Sequence, residues 1–245
     1  MIFDAHFHII DPEYPLIENQ GFLPDPFTVE DYRNRISSLD IQGGAIISGS
    51  FQGFDQSYLI AAIKKLGKNF VGVTQLPITA SDEQIMFLHK HGIRAVRFNL
   101  FRGGSEDVSH LLDFGLRVYD LMGWHVELYV DAANLKSLSS MILRLPKVSI
   151  DHLGLKKTGF LNLLKLVENG VKIKASGFMR VDFDVRDALT QIYTVNPNAL
   201  MFGTDLPGTR ASRQFSLGDL ALIKSTFSEV EVKNILWNNA HQFYF

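Results

Sequence analysis

The chain has no cysteine in its 245 residues. That absence excludes a disulfide framework, thiolate metal sites, iron–sulfur clusters and a cysteine nucleophile together, so any metal must be held by His, Asp or Glu. An excess of positive charge is also missing. The 24 Lys+Arg face 26 Asp+Glu, for a formal net charge of −2 and a pI near 6.4, which argues against a nucleic-acid binder. No stretch approaches the roughly 18 consecutive apolar residues that a membrane span needs. The opening MIFDAHFHII has no basic n-region, and its apolar run is broken by Asp4, His6 and His8, so it does not read as a signal peptide. A soluble, cytoplasmic protein is expected.

What is present is the composition of a packed globular protein: 46% hydrophobic residues, 20% charged and 19 Phe. Short β-rich runs alternate with segments of helical period along the whole chain. The strand candidates are Ile2–His8, Gly44–Ser48, Phe70–Leu76, Ala95–Leu100, Trp124–Val130, Val148–His152, Val171–Ser176 and Leu200–Asp205. The helix candidates between them are Thr28–Leu39, Ser57–Leu66, Asp82–His89, His110–Met122, Leu135–Leu145, Phe160–Glu168 and Val185–Tyr193. Leu217–Thr226 and a closing helix from about Glu229 follow. Gly67, Gly92, Gly123 and Gly170 each stand between a helical pattern and a strand, where a left-handed cap is needed. Eight strands in this order predict a single-domain (β/α)8 TIM barrel over residues 1–245. A doubly wound open sheet is the alternative, but no GxGxxG or Walker-type loop follows the first strand. The long polar loops Asp11–Phe27, Arg102–Ser109, Gly177–Asp184 and Pro207–Ser216 all follow strands, and in a barrel they gather on the catalytic face.

Strand parity then selects candidate site residues. Asp4, His6 and His8 alternate along the first strand, so they are expected on one face together with Ile2, lining the interior. Two His at i, i+2 there point to a metal or substrate role. On the fourth strand Arg97 and Asn99 face inward while Val96, Phe98 and Leu100 face the helices. An inward Arg must pair with a protein carboxylate or meet an anionic ligand, because an unpaired buried charge is very costly. Glu127 and Tyr129 share a face of the fifth strand. The sixth ends in Asp151 and His152, of which parity admits one, and His152 is favoured. Lys174 and Ser176 share a face of the seventh, with Asp205 or Glu127 as the expected partner of a lysine inside the barrel, and Arg180 follows in the loop. Asp205 closes the eighth, as a catalytic or metal-binding carboxylate or as a loop cap. His89, His91, His110, His125 and His241 are expected in surface or core roles.

Asp4-Ala5-His6-Phe7-His8, Val96-Arg97-Phe98-Asn99, Asp151-His152-Leu153-Gly154, Lys174-Ala175-Ser176-Gly177 and Gly203-Thr204-Asp205-Leu206-Pro207 together resemble the amidohydrolase-related branch of the amidohydrolase superfamily. Within it, the pattern is similar to the TIM-barrel hydrolases that include 2-pyrone-4,6-dicarboxylate lactonase and sugar lactonases. The closing Ile235–Ala240 resembles that family's terminal helix. The resemblance implies a polar core of His6, His8, His152 and Asp205 with Arg97 as an anion-binding arginine. Metal-dependent members carry a His or a carboxylated Lys near the middle strands, where this chain has Glu127 and Tyr129. The resemblance therefore implies either no required cofactor or one weakly bound Zn²⁺ or Mn²⁺ on His6, His8 and Asp205, with His152 as a further candidate ligand.

The expected activity is a hydrolase opening a small lactone or ester that bears a carboxylate or hydroxyls. Asp205 activates water, His6, His8 and His152 polarise the carbonyl, and Arg97, Tyr129, Lys174 and Arg180 bind substrate. Two other classes stay open: a metal-dependent carboxy-lyase of the same barrel family, and a non-catalytic ligand-binding barrel in which Asp205 is permanently paired with Lys174 or Arg97. The expected partner is a small molecule, with neither nucleic acid nor membrane, and a homo-oligomer is compatible with all of these readings.

Overall fold

The structure is a computed structural model that describes residues 1–245. Eight parallel strands pair in chain order: β1 (Ile2–Phe7), β2 (Ile41–Ile47), β3 (Phe70–Thr74), β4 (Ile93–Asn99), β5 (His125–Tyr129), β6 (Val148–Ile150), β7 (Lys172–Ala175) and β8 (Leu200–Phe202). Between and after them run α1 (Val29–Arg35), α2 (Ser57–Leu66), α3 (Asp82–Lys90), α4 (Leu111–Met122), α5 (Leu135–Ile142), α6 (Phe160–Glu168), α7 (Val185–Val195), α8 (Leu217–Thr226), α9 (Glu229–Lys233) and α10 (Asn239–Tyr244). The expected closing helix is present as α9 and α10 joined by a π-helical turn, Asn234–Asn238. Gly67, Gly92, Gly123 and Gly170 all have positive φ, as their placement between helix and strand requires.

The ring closes where β8 meets β1. Asp205 N donates to His6 O at 2.7 Å and His8 N donates to Leu206 O at 2.8 Å. Gly203 makes this approach feasible, since a Cβ there would lie 2.7 Å from His6 Cβ. The fold is therefore a single (β/α)8 barrel.

Two apolar cores divide the work. The larger, with Val96, Phe98, Val126, Leu128, Val148 and Ile150, lies between the strands and the helices. The smaller fills the end of the barrel where the strands begin: Phe3, Ala5, Val71, Val73, Ala95 and Met201 meet Phe243 and Tyr244 of α10, which plugs that end. Fully burying each of the large side chains contributes about 1.5–3 kcal/mol, enough for the plug to hold that end shut and leave the opposite end for chemistry.

The first strand departs from simple alternation. Phe3 and Ala5 face the interior core, and strict parity would send Phe7 inward and both histidines outward. Instead Asp4 pairs with Gly44 and Phe7 with Ile46, three residues on β1 against two on β2. This extra residue is a β-bulge. It resets the parity, so Phe7 stacks on Tyr32 of α1 at 3.9 Å while His6 and His8 turn into the barrel. The expectation that Asp4 shares their face is thus corrected. Asp4 lies outside the wall, accepting from Tyr32 Oη (3.0 Å), Thr204 N (2.8 Å) and Thr204 Oγ1 (2.7 Å). Burial pushes its pKa up to about 6 against the pull of these bonds.

Candidate active site

At the mouth end, β1 and β8 bring His6, His8 and Asp205 together. The Asp205 backbone is left-handed (φ 60°). Its Oδ2 accepts from Arg180 Nε at 2.6 Å, whereas its Oδ1 is buried without a hydrogen-bond partner. That free oxygen lies 3.9 Å from His6 Nε2 and 3.8 Å from His152 Nε2. His6 Nε2 is likewise unpartnered. The His6 ring centroid is 4.5 Å from that of His152 and 5.2 Å from that of His8.

The orientation of two of these imidazoles follows from their other nitrogens. His8 Nδ1 lies 2.7 Å from Ile47 O, and a carbonyl only accepts, so the His8 proton is on Nδ1 and Nε2 offers a lone pair. His152 Nδ1 contacts Ser176 Oγ at 3.0 Å. Gly177 leaves room for that ring, because a Cβ there would sit 2.5 Å from His152 Nδ1. Burial, followed by neighbouring positive charge, holds the His8 and His152 pKa values well below the usual histidine range. Burial also lowers His6, partly opposed by Asp151. Burial thus favours the neutral form of all three rings.

The sixth strand supplies two residues. Parity turns Asp151 inward, since Val148 and Ile150 face the helices. His152 follows with φ 50° and bends back into the site as well. The preference for His152 over Asp151 is corrected to both. Asp151 is the partner of Arg97, whose Nη2 and Nε donate to its Oδ2 at 2.8 and 3.2 Å while Nη1 donates to Ser48 O at 2.8 Å. The Arg97 guanidinium is therefore engaged by the protein itself, which corrects its assignment as an arginine waiting for an anion.

Lys174 is fully buried beneath the histidines. Its ammonium binds Glu127 and lies 3.5 Å from Asp151 Oδ1 and 3.4 Å from His6 Nδ1. Glu127 was one of its two expected partners, whereas Asp205 takes Arg180 instead. At this depth Lys174 does not line the mouth, so the substrate-contact role expected of it is replaced by a role inside the wall. Glu127 also binds Tyr244 Oη and sits 3.0 Å from His125 Nε2. Burial alone would raise the Glu127 pKa, but Lys174 and His125 bring it down to about 2. Asp151 is held well below the usual range by His6, Lys174 and Arg97, again against burial. Three carboxylates, Glu127, Asp151 and Asp205, are thus matched by three cations, Lys174, Arg97 and Arg180.

Above this layer, a space of about 30 Å³ reaches His8 and is bordered by Arg97, Tyr129 and Arg180. It has room for about one or two waters. A cavity of about 290 Å³ adjoins it, and both are bordered by Arg102, Tyr129, Arg180 and Arg210. Tyr129 is thus placed at the mouth as expected, with the Arg97 guanidinium over its ring at 5.2 Å. Arg102 and Arg210 were not singled out by sequence. Both belong to long loops after strands, which was the available signal. Arg102 Nε is buried without a partner and its guanidinium covers Phe101, while Arg210 covers Phe22 and donates to Asn19 O. Neither pairs with a carboxylate.

One group of possible metal ligands is His6, His8 and Asp205, and another is His6, Asp151 and His152. The first fits a single divalent ion: it offers two imidazoles and one carboxylate, with His6 Nε2 and Asp205 Oδ1 unpartnered. The second shares His6, and its carboxylate is already bound by Arg97 and approached by Lys174, so a two-ion site does not fit.

Comparison with known proteins gives the same family. A curated 2-pyrone-4,6-dicarboxylate hydrolase from Comamonas testosteroni is 29% identical over 157 residues, 62% of this chain and 51% of that protein, so the match spans about half of the relative's length. A 4-sulfomuconolactone hydrolase from Rhizobium radiobacter is 23% identical over 224 residues, 83% of this chain and 75% of that protein. Among solved structures, an Acinetobacter baumannii protein named as a probable 2-pyrone-4,6-dicarboxylic acid hydrolase, with citric acid bound, superposes with a TM-score of 0.85 at 23% identity, over 99% of this chain and 98% of the other. An Agrobacterium tumefaciens protein in its apo form gives 0.86 at 21% identity, over 99% and 95%. The structural likenesses carry the barrel fold. The family sequence pattern described as amidohydrolase matches residues 3–245, and the chain belongs to the amidohydrolase family.

Proposed function

We propose that this protein hydrolyses a small lactone bearing at least one carboxylate, with Asp205 as the general base. The observation that carries the reading is the free Asp205 Oδ1, held by Arg180 through its other oxygen and faced by two histidine Nε2 atoms at 3.8–3.9 Å. A general base needs one oxygen free to take a proton from water; Asp205 Oδ1 stands unpartnered beside the histidine Nε2 atoms, whereas the other unpartnered carboxylate oxygen, Asp151 Oδ1, lies 3.5 Å from the Lys174 ammonium. The names of the two curated relatives, both lactone or pyrone hydrolases, support the same reaction class.

In this mechanism a water molecule in the small space beside His8 gives its proton to Asp205 Oδ1 as its oxygen bonds to the lactone carbonyl carbon. The His8 Nε2 lone pair orients that water. His6 and His152 are placed to hydrogen-bond the carbonyl oxygen as negative charge develops on it, a contribution that is often the largest in acyl transfer. When the tetrahedral intermediate collapses, the ring C–O bond breaks and Asp205 returns the proton to the leaving oxygen, giving a carboxylic acid and a hydroxyl. Arg102 and Arg210, free of carboxylate partners, with Arg180 and Tyr129 beside them, bind the substrate's carboxylate at the mouth. A divalent ion, when bound, would be held by His6, His8 and Asp205 and would supply Lewis-acid polarisation.

The test is a panel of carboxylated and neutral lactones assayed with a pH indicator, using protein purified without chelator and the same protein after chelation. Acid release that requires Asp205 and favours the carboxylated lactones is the expected result. Carbon dioxide release without ring opening would make the protein a carboxy-lyase instead.

A further inference from the structure

We infer that Gln75 is a positioning residue that clamps the loop after β2 to the loop after β4 and so sets where Arg102 stands at the mouth. The kinetic consequence rests on the carboxylate-binding role proposed for Arg102, whereas the clamp does not.

Gln75 follows β3, the strand that lies between β2 and β4, so its side chain reaches the loops of both neighbours. It is fully buried, and its Nε2 faces three backbone carbonyls: Gly53 O at 2.9 Å, Gly104 O at 3.0 Å and Gly49 O at 3.3 Å. Carbonyls only accept, so these oxygens fix the amide with its nitrogen toward the loops. The reversed amide would set an oxygen against all three. Oε1 has no partner, so the buried amide acts as a donor alone. The Gln75 backbone is held in turn by Gln56, whose Nε2 donates to its carbonyl at 3.0 Å.

The two loops enclose the small space beside His8. Gly49, Ser50 and Phe51 of one loop border it, as does Arg102 of the other. Gly103 and Gly104 both have positive φ, and successive glycines leave a backbone with little stiffness of its own. Contacts must therefore hold the segment. Gly104 lies so close to the first loop that a Cβ there would be 2.8 Å from Ser50 O. Arg102 has no carboxylate to fix its guanidinium, so the side chain goes where its backbone puts it. Its N donates to Asn99 Oδ1 at 2.9 Å, and its O accepts from Asn19 and Gln20. Those bonds tie Arg102 to β4 and to the loop after β1. Gln75 supplies the tie to the loop after β2, and no other side chain hydrogen-bonds to both of these walls.

The test combines amide hydrogen exchange with kinetics on Gln75→Met, which keeps the length of the side chain and removes its donors. Segments 49–53 and 102–105 should both exchange faster than in the wild type by about 2- to 10-fold, the shift expected from one neutral hydrogen bond, with β5 to β8 unchanged. On a carboxylated lactone that the wild type hydrolyses, KM should rise by about 2- to 10-fold with kcat little changed, while KM for a neutral lactone stays where it is. In an Arg102→Met background the Gln75→Met change should add nothing further to KM. A Gln75 that only stabilised the fold would lower activity equally on both lactones, with or without Arg102. Unchanged exchange in the two segments, or equal losses on the two lactones, overturns the inference. Should Gln75→Met fail to fold, Gln75→Asn, which keeps the amide but withdraws it from the loops, takes the same measurements. If no lactone is opened, the functional reading fails and the exchange rates alone decide the clamp.

Discussion

The two ends of the barrel interior solve the same problem differently. At the closed end, α10 inserts Phe243 and Tyr244, and the charges of Glu127 and Lys174 are paired with each other and with their neighbours. At the mouth, His6 Nε2, Asp205 Oδ1 and Arg102 Nε are buried without partners. Ser149 Oγ and Asp151 Oδ1 are unpartnered deeper in the barrel, as is Gln75 Oε1 after β3. Leaving such groups unpaired costs stability, and at the mouth a substrate or water can relieve that cost. The contrast assigns the lower network to holding the barrel and the upper one to the proposed reaction.

The largest expected effect separates the halves most cleanly. Asp205→Asn keeps the size and an acceptor for Arg180 but removes the basicity and the charge paired with Arg180, so turnover in the folded fraction should fall by roughly 10²–10⁴, with some loss of stability from the neutralised pair. A variant with near-normal turnover in its folded fraction would move Asp205 from the reacting half to the structural one. Glu127→Ala should do the reverse. It leaves the buried Lys174 short of its main partner and should cost about 3–5 kcal/mol by denaturant unfolding.

Arg97 and Arg102 sharpen the comparison, because similar side chains from the same strand and its loop fall on opposite sides of the divide. Arg97→Met should strand Asp151 and lower stability, with equal kinetic losses on carboxylated and neutral lactones. Arg102→Met should leave stability nearly unchanged and weaken binding of the carboxylated substrate by about 1.5–3 kcal/mol, the worth of a charged hydrogen bond, read as a raised KM for that substrate alone. Identical behaviour of the two variants would remove the distinction.

The smallest effect is in the pH profile. His125 is held down to about 4 from 6.5, first by burial. A group with a lowered folded pKa contributes stability that is present above its unfolded value and lost as pH falls through the folded one. Stability should therefore decline between about pH 6.5 and 4, and His125→Gln should flatten that slope by up to one proton in a series of melting curves. Asp4, raised to about 6, opposes the trend between its ordinary value of 3.8 and 6, so the net slope is shallower than His125 alone would give.

Much of this arrangement is legible in the chain. Alternation correctly places Arg97 and Asn99 inside and Val96 and Phe98 outside, because β4 runs without irregularity against β5. It places Glu127 and Tyr129 correctly for the same reason. It fails for Asp4, because the bulge that resets β1 depends on pairing with β2 and leaves no local signature. It fails for the choice between Asp151 and His152, because the left-handed turn after β6 brings the second side chain back inside.

By itself, then, the sequence determined the number and order of strands, the end of the barrel that carries the long loops, and a set of polar residues rich enough for acid–base chemistry. These follow from periodicity and local backbone preference, which act over a few residues. Only the tertiary structure decided that Arg97 belongs to Asp151, Lys174 to Glu127 and Arg180 to Asp205. Those pairs lie 54, 47 and 25 residues apart in the chain. Hydrogen bonding and charge pairing depend on distances in space, and closing the ring is what brings these strand ends within reach of one another.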